Sequence, residues 1–328
     1  MSKLRLCEML AAALLATLVA ATPATAQINN LTREEMIKYT AQNPFERFPD
    51  GRPKVPDALL KEFNAMSSEE VMGAGRTAAA PAAAGAARGA GTTGAAGTAA
   101  GRGGGGGGSP SVTFVSGFQV LNPGKKLIGR AVTLQLMPQR PEVAGPDADD
   151  WKKKGNTVAL THQSALDLLG PGDVIVMDAG GDTKAGGIIG DNLAYYIWKK
   201  TGTGFVIDGA IRDLEGITEI GMPGYFKAAV PPAIQGLMVT GINVPVRIGD
   251  ATVMPGDVVF GDREGINFIP PQAVQALVDA AKTTRIHDEW TRKKFDENKY
   301  KSTDIYSRPT DPALLKEYED YLKQELQK

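Results

Sequence analysis

The chain has 328 residues, 42% of them hydrophobic and 22% charged, and its 36 basic and 37 acidic side chains give a formal net charge of −1. These values predict a globular protein and exclude a coiled coil, a collagen and an acidic disordered tail. The balance of charge also argues against a nucleic-acid binder, which would carry a clustered excess of lysine and arginine. The 39 glycines exceed the roughly 23 that average usage predicts.

Residues 1–26 have the layout of a secretory signal peptide. Two basic residues, Lys3 and Arg5, precede an apolar run at 9–21 and a small-residue motif, Ala-Thr-Ala, at 24–26. The run is too short to span a bilayer as a helix, and no later segment is long enough, so we expect no membrane span. The only cysteine lies in this segment, so the mature chain would hold no disulfide and no thiolate site. The predicted location is periplasmic or secreted.

The mature chain is predicted to have four parts. A helical N-terminal arm spans residues 27–72, and a flexible insert made mostly of glycine and alanine follows at 73–110. Such an insert cannot bury enough apolar surface to offset its ordering entropy. An α/β domain is expected over residues 111–282, and a charged, aromatic helical tail over 283–328.

The α/β domain is predicted to contain parallel strands joined by a helix. Apolar strand patterns occupy residues 127–136, 174–177 and 204–208, with a helical pattern from about 192 to 200 between the last two. This order is typical of a right-handed parallel crossover. A β-rich run over 239–269 follows, and a helix with apolar residues at helical spacing closes the domain.

The usual nucleophile sets are missing from the sequence. There is no Gly-x-Ser-x-Gly elbow, and the two histidines, His162 and His287, lack metal-ligand spacing, so we interpret them as structural or solvated. The glycines between Gly186 and Gly190 suggest a dinucleotide-binding loop. Their spacing, G-G-x-x-G, and their distance from the preceding strand argue against that interpretation.

An anion site fits these glycines better. The predicted helix opens with four residues whose backbone N–H groups are free to bind an anion: Gly190, Asp191, Asn192 and Leu193. Arg212 and Asp213 follow the next strand, at the carboxyl end where α/β sheets bind ligands. Arg212 offers a planar fork for a carboxylate, and Asp213 with Glu215 offers hard oxygens for Mg²⁺ or a similar ion. The alternative is a surface ion pair in which Asp213 caps a helix.

Together these segments resemble the RraA-like family, which includes regulators of ribonuclease E activity and class II 4-hydroxy-4-methyl-2-oxoglutarate aldolases that also decarboxylate oxaloacetate. The matching motifs are the loop at 190–194, Val-Ile-Asp-Gly-Ala-Ile-Arg-Asp at 206–213, Met-Pro-Gly-Asp at 254–257 and Asp-Arg-Glu-Gly at 262–265. The resemblance covers roughly residues 120–281. It implies an α/β fold, a layered α/β/α sandwich around a central mixed sheet of the swivelling-domain type, with helical N- and C-terminal extensions.

The resemblance also implies a function. It points to a divalent-metal-dependent carbon–carbon lyase, an aldolase or decarboxylase, that acts on small 2-oxo acids through a pyruvate enolate and assembles as a homotrimer or hexamer. The backbone from Gly190 to Leu193 would hold the substrate carboxylate, Arg212 would bind substrate, and Asp213 would hold Mg²⁺ or Mn²⁺. In this chain the family's acid, three residues after the aspartate, is Gly216. Glu215 stands one place earlier. Whether Glu215 takes part in metal binding, and whether the protein has full aldolase activity, is therefore left open.

Two alternatives to this function are weighed. A Schiff-base mechanism through Lys184, Lys199 or Lys200 is disfavoured, because these lysines have polar surroundings with nothing apparent to activate an amine. The second alternative is a non-catalytic RraA-like binding or regulatory oligomer in the periplasm, motivated by Gly216 in place of the acid. An exported chain would not meet ribonuclease E, which is cytosolic, and no nucleic-acid partner is expected.

Overall fold

The computed structural model describes residues 30–78, 112–140 and 161–327. The predicted signal peptide and most of the predicted insert lie outside the described residues. Within the described ranges, no helix is both long enough and apolar enough to cross a membrane.

A nine-stranded mixed sheet forms the centre of the protein. The strand order is β1-β11-β10-β3-β4-β5-β6-β2, and β7 pairs with β3 beside this row. The strands of the sheet, in chain order, are β1 (Thr113–Val115), β2 (Gln119–Leu121), β3 (Leu127–Pro138), β4 (Asp173–Asp182), β5 (Phe205–Ile211), β6 (Gly224–Ala229), β7 (Leu237–Ile242), β10 (Val258–Gly261) and β11 (Ile266–Ile269). A separate two-stranded hairpin consists of β8 (Val246–Ile248) and β9 (Ala251–Val253).

The four central strands, β3 to β6, are parallel to one another, whereas the outer pairings are antiparallel. The apolar runs in the middle of this sheet are buried on both faces, as the seven buried residues of β5 show. Continuous apolar sequence is the expected signature of such strands. The predicted strand–helix–strand crossover is therefore present in β4, α5 (Asp191–Thr201) and β5.

Three helices cover one face of the sheet: α4 (His162–Asp167), α5 and α6 (Leu214–Ile220). Their apolar sides share a core with one side of the central strands, including Ala194 and Ile197 of α5 and Ile217 of α6. α5 ends at Gly202, whose φ of 68° is a left-handed conformation that favours glycine at a helix C-terminus. This packing fixes where α5 begins, next to the end of β5.

The opposite face is covered by the β8–β9 hairpin, where Val206 of β5 joins Val246 and Val253 in one core. The arm and a long helix, α7 (Val274–Asp296), pack around β10 and β11 on the same face as the three helices. On β3, Ile128 faces the arm and α7, and Val132, on the same side of the strand, faces the three helices. The predicted α/β class with a central mixed sheet is confirmed, with the described helices on one face and the hairpin on the other.

The N-terminal arm holds α1 (Arg33–Tyr39), α2 (Asp57–Glu62), a 3₁₀ turn (Phe63–Ala65) and α3 (Ser68–Ala78). α1 begins with the capping box of Thr32 and Glu35. α3 extends beyond residue 72 into the segment that composition assigned to the insert. Alanine favours a helix in this stretch, and Ala74 is buried in the core shared with α7.

The C-terminal tail is helical and has a small core of its own. α7 crosses residue 282 without a break and is followed by α8 (Ser302–Ile305) and α9 (Pro312–Glu325). Trp290 of α7 packs there with residues of the two shorter helices, Ile305, Leu314 and Tyr318. The tail therefore continues the last helix of the body.

Candidate functional site

The candidate site lies where the loop before α5 meets the end of β5. The Ile188 N–H donates to Ala210 O at 2.8 Å, and the Arg212 N–H donates to Ile189 O at 2.9 Å. These two backbone hydrogen bonds run the loop alongside the last residues of β5. The start of α5 and the residues after β5 are thereby placed side by side, although they are about twenty residues apart in sequence.

The loop approaches β5 so closely that two positions have no room for a side chain. A Cβ at position 187 would lie 2.6 Å from both the Cβ and the backbone nitrogen of Arg212. A Cβ at Gly190 would collide with Asp213 Oδ2 and lie 3.1 Å from Arg212 Nε. Gly187 and Gly190 are thus required so that the chain can pass the arginine and the carboxylate.

Asp213 stands between β5 and α6 in an uncommon conformation. Its φ of 57° is left-handed, which is rare for a residue other than glycine. It is the N-cap residue of α6, yet its side chain makes no capping hydrogen bond. An aspartate at this position normally accepts from the first turn of the helix, so the alternative of a simple helix cap does not describe Asp213.

The Asp213 carboxylate instead lies beside the neighbouring arginine and the start of α5. Asp213 Oδ2 is 3.6 Å from Arg212 Nη1, and the two side chains are 38% and 41% exposed. Both groups are therefore accessible to a small ligand. The pair sits at the N-terminus of an eleven-residue helix, where the helix dipole favours an anion.

A second carboxylate, that of Asp191, belongs to the first residue of α5. Asp191 Oδ1 accepts a hydrogen bond from the Asn192 N–H at 2.7 Å. Its Oδ2 lies 3.1 Å from the Cβ position of residue 216. The space beside position 216, from which the family's acid would project, is thus occupied by the Asp191 carboxylate. Only the backbone of Asp191 was predicted to take part in the site, and the glycine at 216 was the one signal in the sequence that another side chain fills this space.

Glu215 is exposed on the first turn of α6. One residue corresponds to a rotation of about 100° around a helix, and position 216 is the one that faces Asp191. Metal binding by Glu215 therefore stays a prediction. The carboxylate that lies beside position 216 is that of Asp191.

The donor set fits a magnesium-type ion only in part. Among the described residues there is no group of three or more histidine, cysteine, aspartate or glutamate side chains that could hold a metal. Asp191 and Asp213 supply hard oxygens, and Gly190 lets the Asp213 carboxylate approach the start of α5. Mg²⁺ commonly binds through one or two carboxylates and keeps several waters. The two carboxylates are consistent with such an ion.

The other residues weighed for chemistry lie elsewhere. Burial lowers the pKa of His162, at the start of α4, so its imidazole is neutral near pH 7. His287 lies in the tail against the Tyr318 ring. Lys199 and Lys200 are in the last turn of α5, roughly 13 Å along the axis from the start of the helix. None of these four residues is among the contacts of Gly190, Arg212 or Asp213 described above.

Comparison with known proteins gives a consistent result. Residues 107–267 match the family model described as RraA-like, Aldolase/RraA. A relative from Halalkalibacterium halodurans, named as a candidate 4-hydroxy-4-methyl-2-oxoglutarate aldolase, is 30% identical over 167 residues, which are 51% of this chain and 78% of the relative. The 4-hydroxy-4-methyl-2-oxoglutarate aldolase of Thermus thermophilus is 30% identical over 108 residues, 33% of this chain and 65% of that protein.

A solved structure agrees with this result. Streptomyces coelicolor RraAS2, described as an unusual member of the RNase ES inhibitor RraA protein family, superposes with a TM-score of 0.55 at 26% identity and covers 74% of this chain and 100% of its own. The motif residues and the order of the central strands lie within the matched region. The chain therefore belongs to the RraA-like, or Aldolase/RraA, family.

Proposed function

We propose that the chain is a divalent-metal-dependent lyase that breaks a carbon–carbon bond in small 2-oxo acids and releases pyruvate. The observation that carries this proposal is the meeting of Arg212 and Asp213 with Gly190 and Asp191 at the start of α5. The Arg212 guanidinium, the Asp213 carboxylate and helix N–H groups meet in one accessible place, and the Asp191 carboxylate belongs to the first residue of the same helix. The aldolase names of two relatives support the same class of reaction.

Arg212 binds the carboxylate of the 2-oxo acid in this proposal. Its guanidinium presents N–H donors in a planar fork that matches two carboxylate oxygens. The backbone N–H groups at the start of α5 supply further donors, since the first N–H groups of a helix have no partner within it. The Asn192 N–H already donates to Asp191 Oδ1, which leaves the N–H groups of Gly190, Asp191 and Leu193 for a bound anion.

Asp213 and Asp191 would hold Mg²⁺ or Mn²⁺. When bound, such an ion supplies a Lewis acid that stabilises negative charge developing on a substrate oxygen. In the cleavage of a 4-hydroxy-2-oxo acid or of oxaloacetate, the electron pair of the broken carbon–carbon bond moves to the pyruvate half. The other half leaves as a carbonyl compound, after its hydroxyl loses a proton, or as CO₂, and the pyruvate half gains a proton from solvent to give pyruvate. Arg212 and the helix N–H groups keep the carboxylate of that half in place while the charge develops.

The first experiment is a screen of 2-oxo acids for pyruvate release with and without Mg²⁺ or Mn²⁺. We expect metal-dependent release from oxaloacetate or 4-hydroxy-4-methyl-2-oxoglutarate by wild type. Arg212→Ala should lower kcat/KM by roughly a hundredfold, since it removes the carboxylate fork. A screen without release above background would remove the lyase proposal.

Variants of Asp191 and Glu215 can show which of these two acids is needed for the metal-dependent rate. Asp191→Asn should abolish most of the metal-dependent rate, because it removes one of two carboxylates at the site. Glu215→Gln is the matched control and should retain the rate, because Glu215 lies on a different side of α6 from Gly216. Loss of activity in Glu215→Gln with retention in Asp191→Asn would reverse this assignment.

A second candidate is a non-catalytic binding or regulatory oligomer. It is favoured by the donor set, which comprises fewer than three metal-ligating side chains among the described residues. This candidate predicts that a 2-oxo acid binds at Arg212 without turnover. Calorimetric binding of pyruvate that Arg212→Ala abolishes, with no product in the screen above, would favour it over the lyase.

We also propose that the protein works in the periplasm or outside the cell, on the strength of the signal-peptide layout of residues 1–26, and that it forms a homo-oligomer. Large apolar side chains are exposed on or next to the helices α4, α5 and α6, namely Leu168, Tyr195, Tyr196 and Leu214. Such side chains commonly mark protein contacts. Light scattering on the purified chain should give a trimer or hexamer, and a monomer at micromolar concentration would contradict the assembly.

A further inference from the structure

The chain between β6 and β7, residues 230–236, runs along the loop that leads to the candidate site. The Gly187 N–H donates to Pro232 O at 2.8 Å, and the Gln235 N–H donates to Ala185 O at 2.7 Å. These two hydrogen bonds attach the loop to a segment that contains none of the site residues described above.

The loop, this segment and the end of β5 are each hydrogen-bonded to the other two. The Val230 N–H of the segment donates to Ile211 O of β5 at 2.9 Å. In the loop, Gly187 donates to the segment, and the next residue, Ile188, donates to Ala210 O of β5 at 2.8 Å. Because consecutive residues make the two connections, a shift of the segment is passed directly to the part of the loop beside β5.

Two consecutive glycines make the fit of the loop close. Gly186 has a left-handed φ of 82°, and a Cβ there would collide with Ala233 O and lie 3.0 Å from Pro232 O. At the next position, a Cβ on Gly187 would lie 2.6 Å from the Arg212 nitrogen. One glycine thus lies against the segment and the next lies against Arg212, which leaves the loop no free space on either side.

The part of the segment that accepts from the loop contains two adjacent prolines, Pro231 and Pro232. Their side chains are exposed, so packing in the core does not require them. A proline ring fixes φ at about −65°, and it also restricts the backbone of the residue before it. What the two prolines contribute is therefore a stiff backbone, which holds the Pro232 carbonyl where the Gly187 N–H meets it.

We infer that Pro231 and Pro232 are positioning residues for the candidate site. They act through Gly187, because the stiff segment keeps the loop against Arg212. The guanidinium and the N–H groups at the start of α5 are thereby kept in fixed relative positions. This inference rests on the proposed function, since it gives the two prolines a part in binding and cleaving a 2-oxo acid.

The test compares Pro232→Gly with Pro123→Gly in the purified full-length chain. Pro123 is exposed in the turn before β3, at the amino end of the central strands, and both changes add similar freedom to the unfolded chain. Pro232→Gly should lower kcat/KM for pyruvate release about tenfold and weaken pyruvate binding in calorimetry. It should also speed amide hydrogen exchange at residues 185–190. Pro123→Gly should keep wild-type values in all three measurements.

Pro232→Ala provides a rescue, because alanine restricts the backbone more than glycine does. Its kcat/KM and its loop exchange should lie between those of Pro232→Gly and wild type. If Pro232→Gly does not fold, as judged by circular dichroism, Pro232→Ala becomes the deciding variant, and wild-type exchange and pyruvate affinity in it then count against the inference.

Three results with folded Pro232→Gly would overturn the inference: unchanged exchange at residues 185–190, unchanged kcat/KM and pyruvate affinity, or equal losses in Pro123→Gly. Failure of the proposed function has a different signature. If wild type binds pyruvate but releases none from any 2-oxo acid, the lyase proposal fails, and binding and exchange still decide the inference. Absence of pyruvate binding by wild type would overturn both.

Discussion

At the scale of single residues, the site depends on side chains that are absent as much as on those that are present. Gly190 lets Asp213 stand against the start of α5, and Gly216 leaves space for the Asp191 carboxylate. A glycine in such a place is required by the close approach of a neighbour. Gly190 and Asp213 can each be identified from the sequence, but their contact depends on how the helix packs against the strand.

Gly190→Ala tests this contact. The added methyl would collide with Asp213 Oδ2 and crowd Arg212 Nε, so both side chains must shift. Misplacement of a catalytic group by about 1 Å can cost on the order of a hundredfold in rate. We expect kcat/KM for pyruvate release to fall by at least about tenfold.

The control for this variant is Gly124→Ala, because a Cβ at Gly124 meets no atom within 4 Å. It should keep the wild-type rate. Full activity in Gly190→Ala would show that Asp213 does not need its place beside α5.

At the scale of elements, the pattern of apolar residues predicted the central strands and the crossover helix, because buried parallel strands are continuous apolar runs. β1, β2 and β6 were missed, and β1, like β2, is three residues long. β6 is a short segment that contains Gly224 and Lys227, and β2 has only three residues. Such strands are defined by pairing with a neighbour that is distant in sequence, so local pattern does not reveal them.

The turn between β9 and β10 contains a carboxyl group whose pKa depends strongly on folding. Burial raises the pKa of Asp257 to about 7, against one hydrogen bond from the Met254 N–H, which lowers it. In the unfolded chain the pKa of this group is near the ordinary aspartate value of 3.8. At a pH between these two values, the folded state binds more protons at Asp257 than the unfolded state does. The contribution of Asp257 to the free energy of unfolding therefore falls as pH rises from about 4 to 7.

Asp257→Asn should remove this dependence while its amide oxygen still accepts from the Met254 N–H. The free energy of unfolding of wild type, relative to the variant, should fall by on the order of 2 kcal/mol between about pH 5 and pH 8. Urea unfolding at both pH values measures it. Asp250→Asn is the control, because its side chain is 98% exposed. A parallel pH dependence in wild type and Asp257→Asn would show that Asp257 ionises normally in the folded state.

The arm is joined to the sheet by a buried arginine of β3. Arg130 donates to Val55 O and Asp57 Oδ1, both at 2.7 Å, and to Pro171 O at 2.9 Å. Its side chain is 3% exposed, whereas that of Asp57 is 75% exposed. Removing a buried charged partner leaves its acceptors unpaired, which costs more than removing an exposed partner.

We therefore expect Arg130→Ala to lower the free energy of unfolding by about 3–5 kcal/mol, and Asp57→Ala to lower it by less than about 1 kcal/mol. Denaturant titration of both variants at one pH distinguishes these values. Similar effects for the two substitutions would mean that the exposed ion pair, and not the buried network, joins the arm to the sheet.

At the scale of the whole molecule, the described residues form a body and a tail with separate cores. The Trp290 cluster in the tail shares no residue with the core clusters of the sheet. The family resemblance predicted the body, but the tail has no counterpart in the matched residues 107–267. Its helical character followed from its composition, whereas its packing around Trp290 did not.

Trp290→Ala should destabilise this tail without disturbing the site. Truncating a buried tryptophan costs about 3–5 kcal/mol, and here the loss falls on the tail core. Hydrogen exchange should become faster between residues 286 and 325 and stay unchanged in β4 and β5. Faster exchange in the central strands as well would show that tail and body unfold as one unit.

The central claim is that Asp213 and its neighbours form a metal-dependent lyase site. The most direct measurement is the Mg²⁺-dependent rate of pyruvate release from oxaloacetate by Asp213→Asn, with Glu219→Gln, an exposed acid on the same helix, as the matched control. We predict that Asp213→Asn loses the metal-dependent rate by a hundredfold or so while Glu219→Gln keeps it. An Asp213→Asn variant that retains the wild-type rate and its dependence on Mg²⁺ would contradict the account.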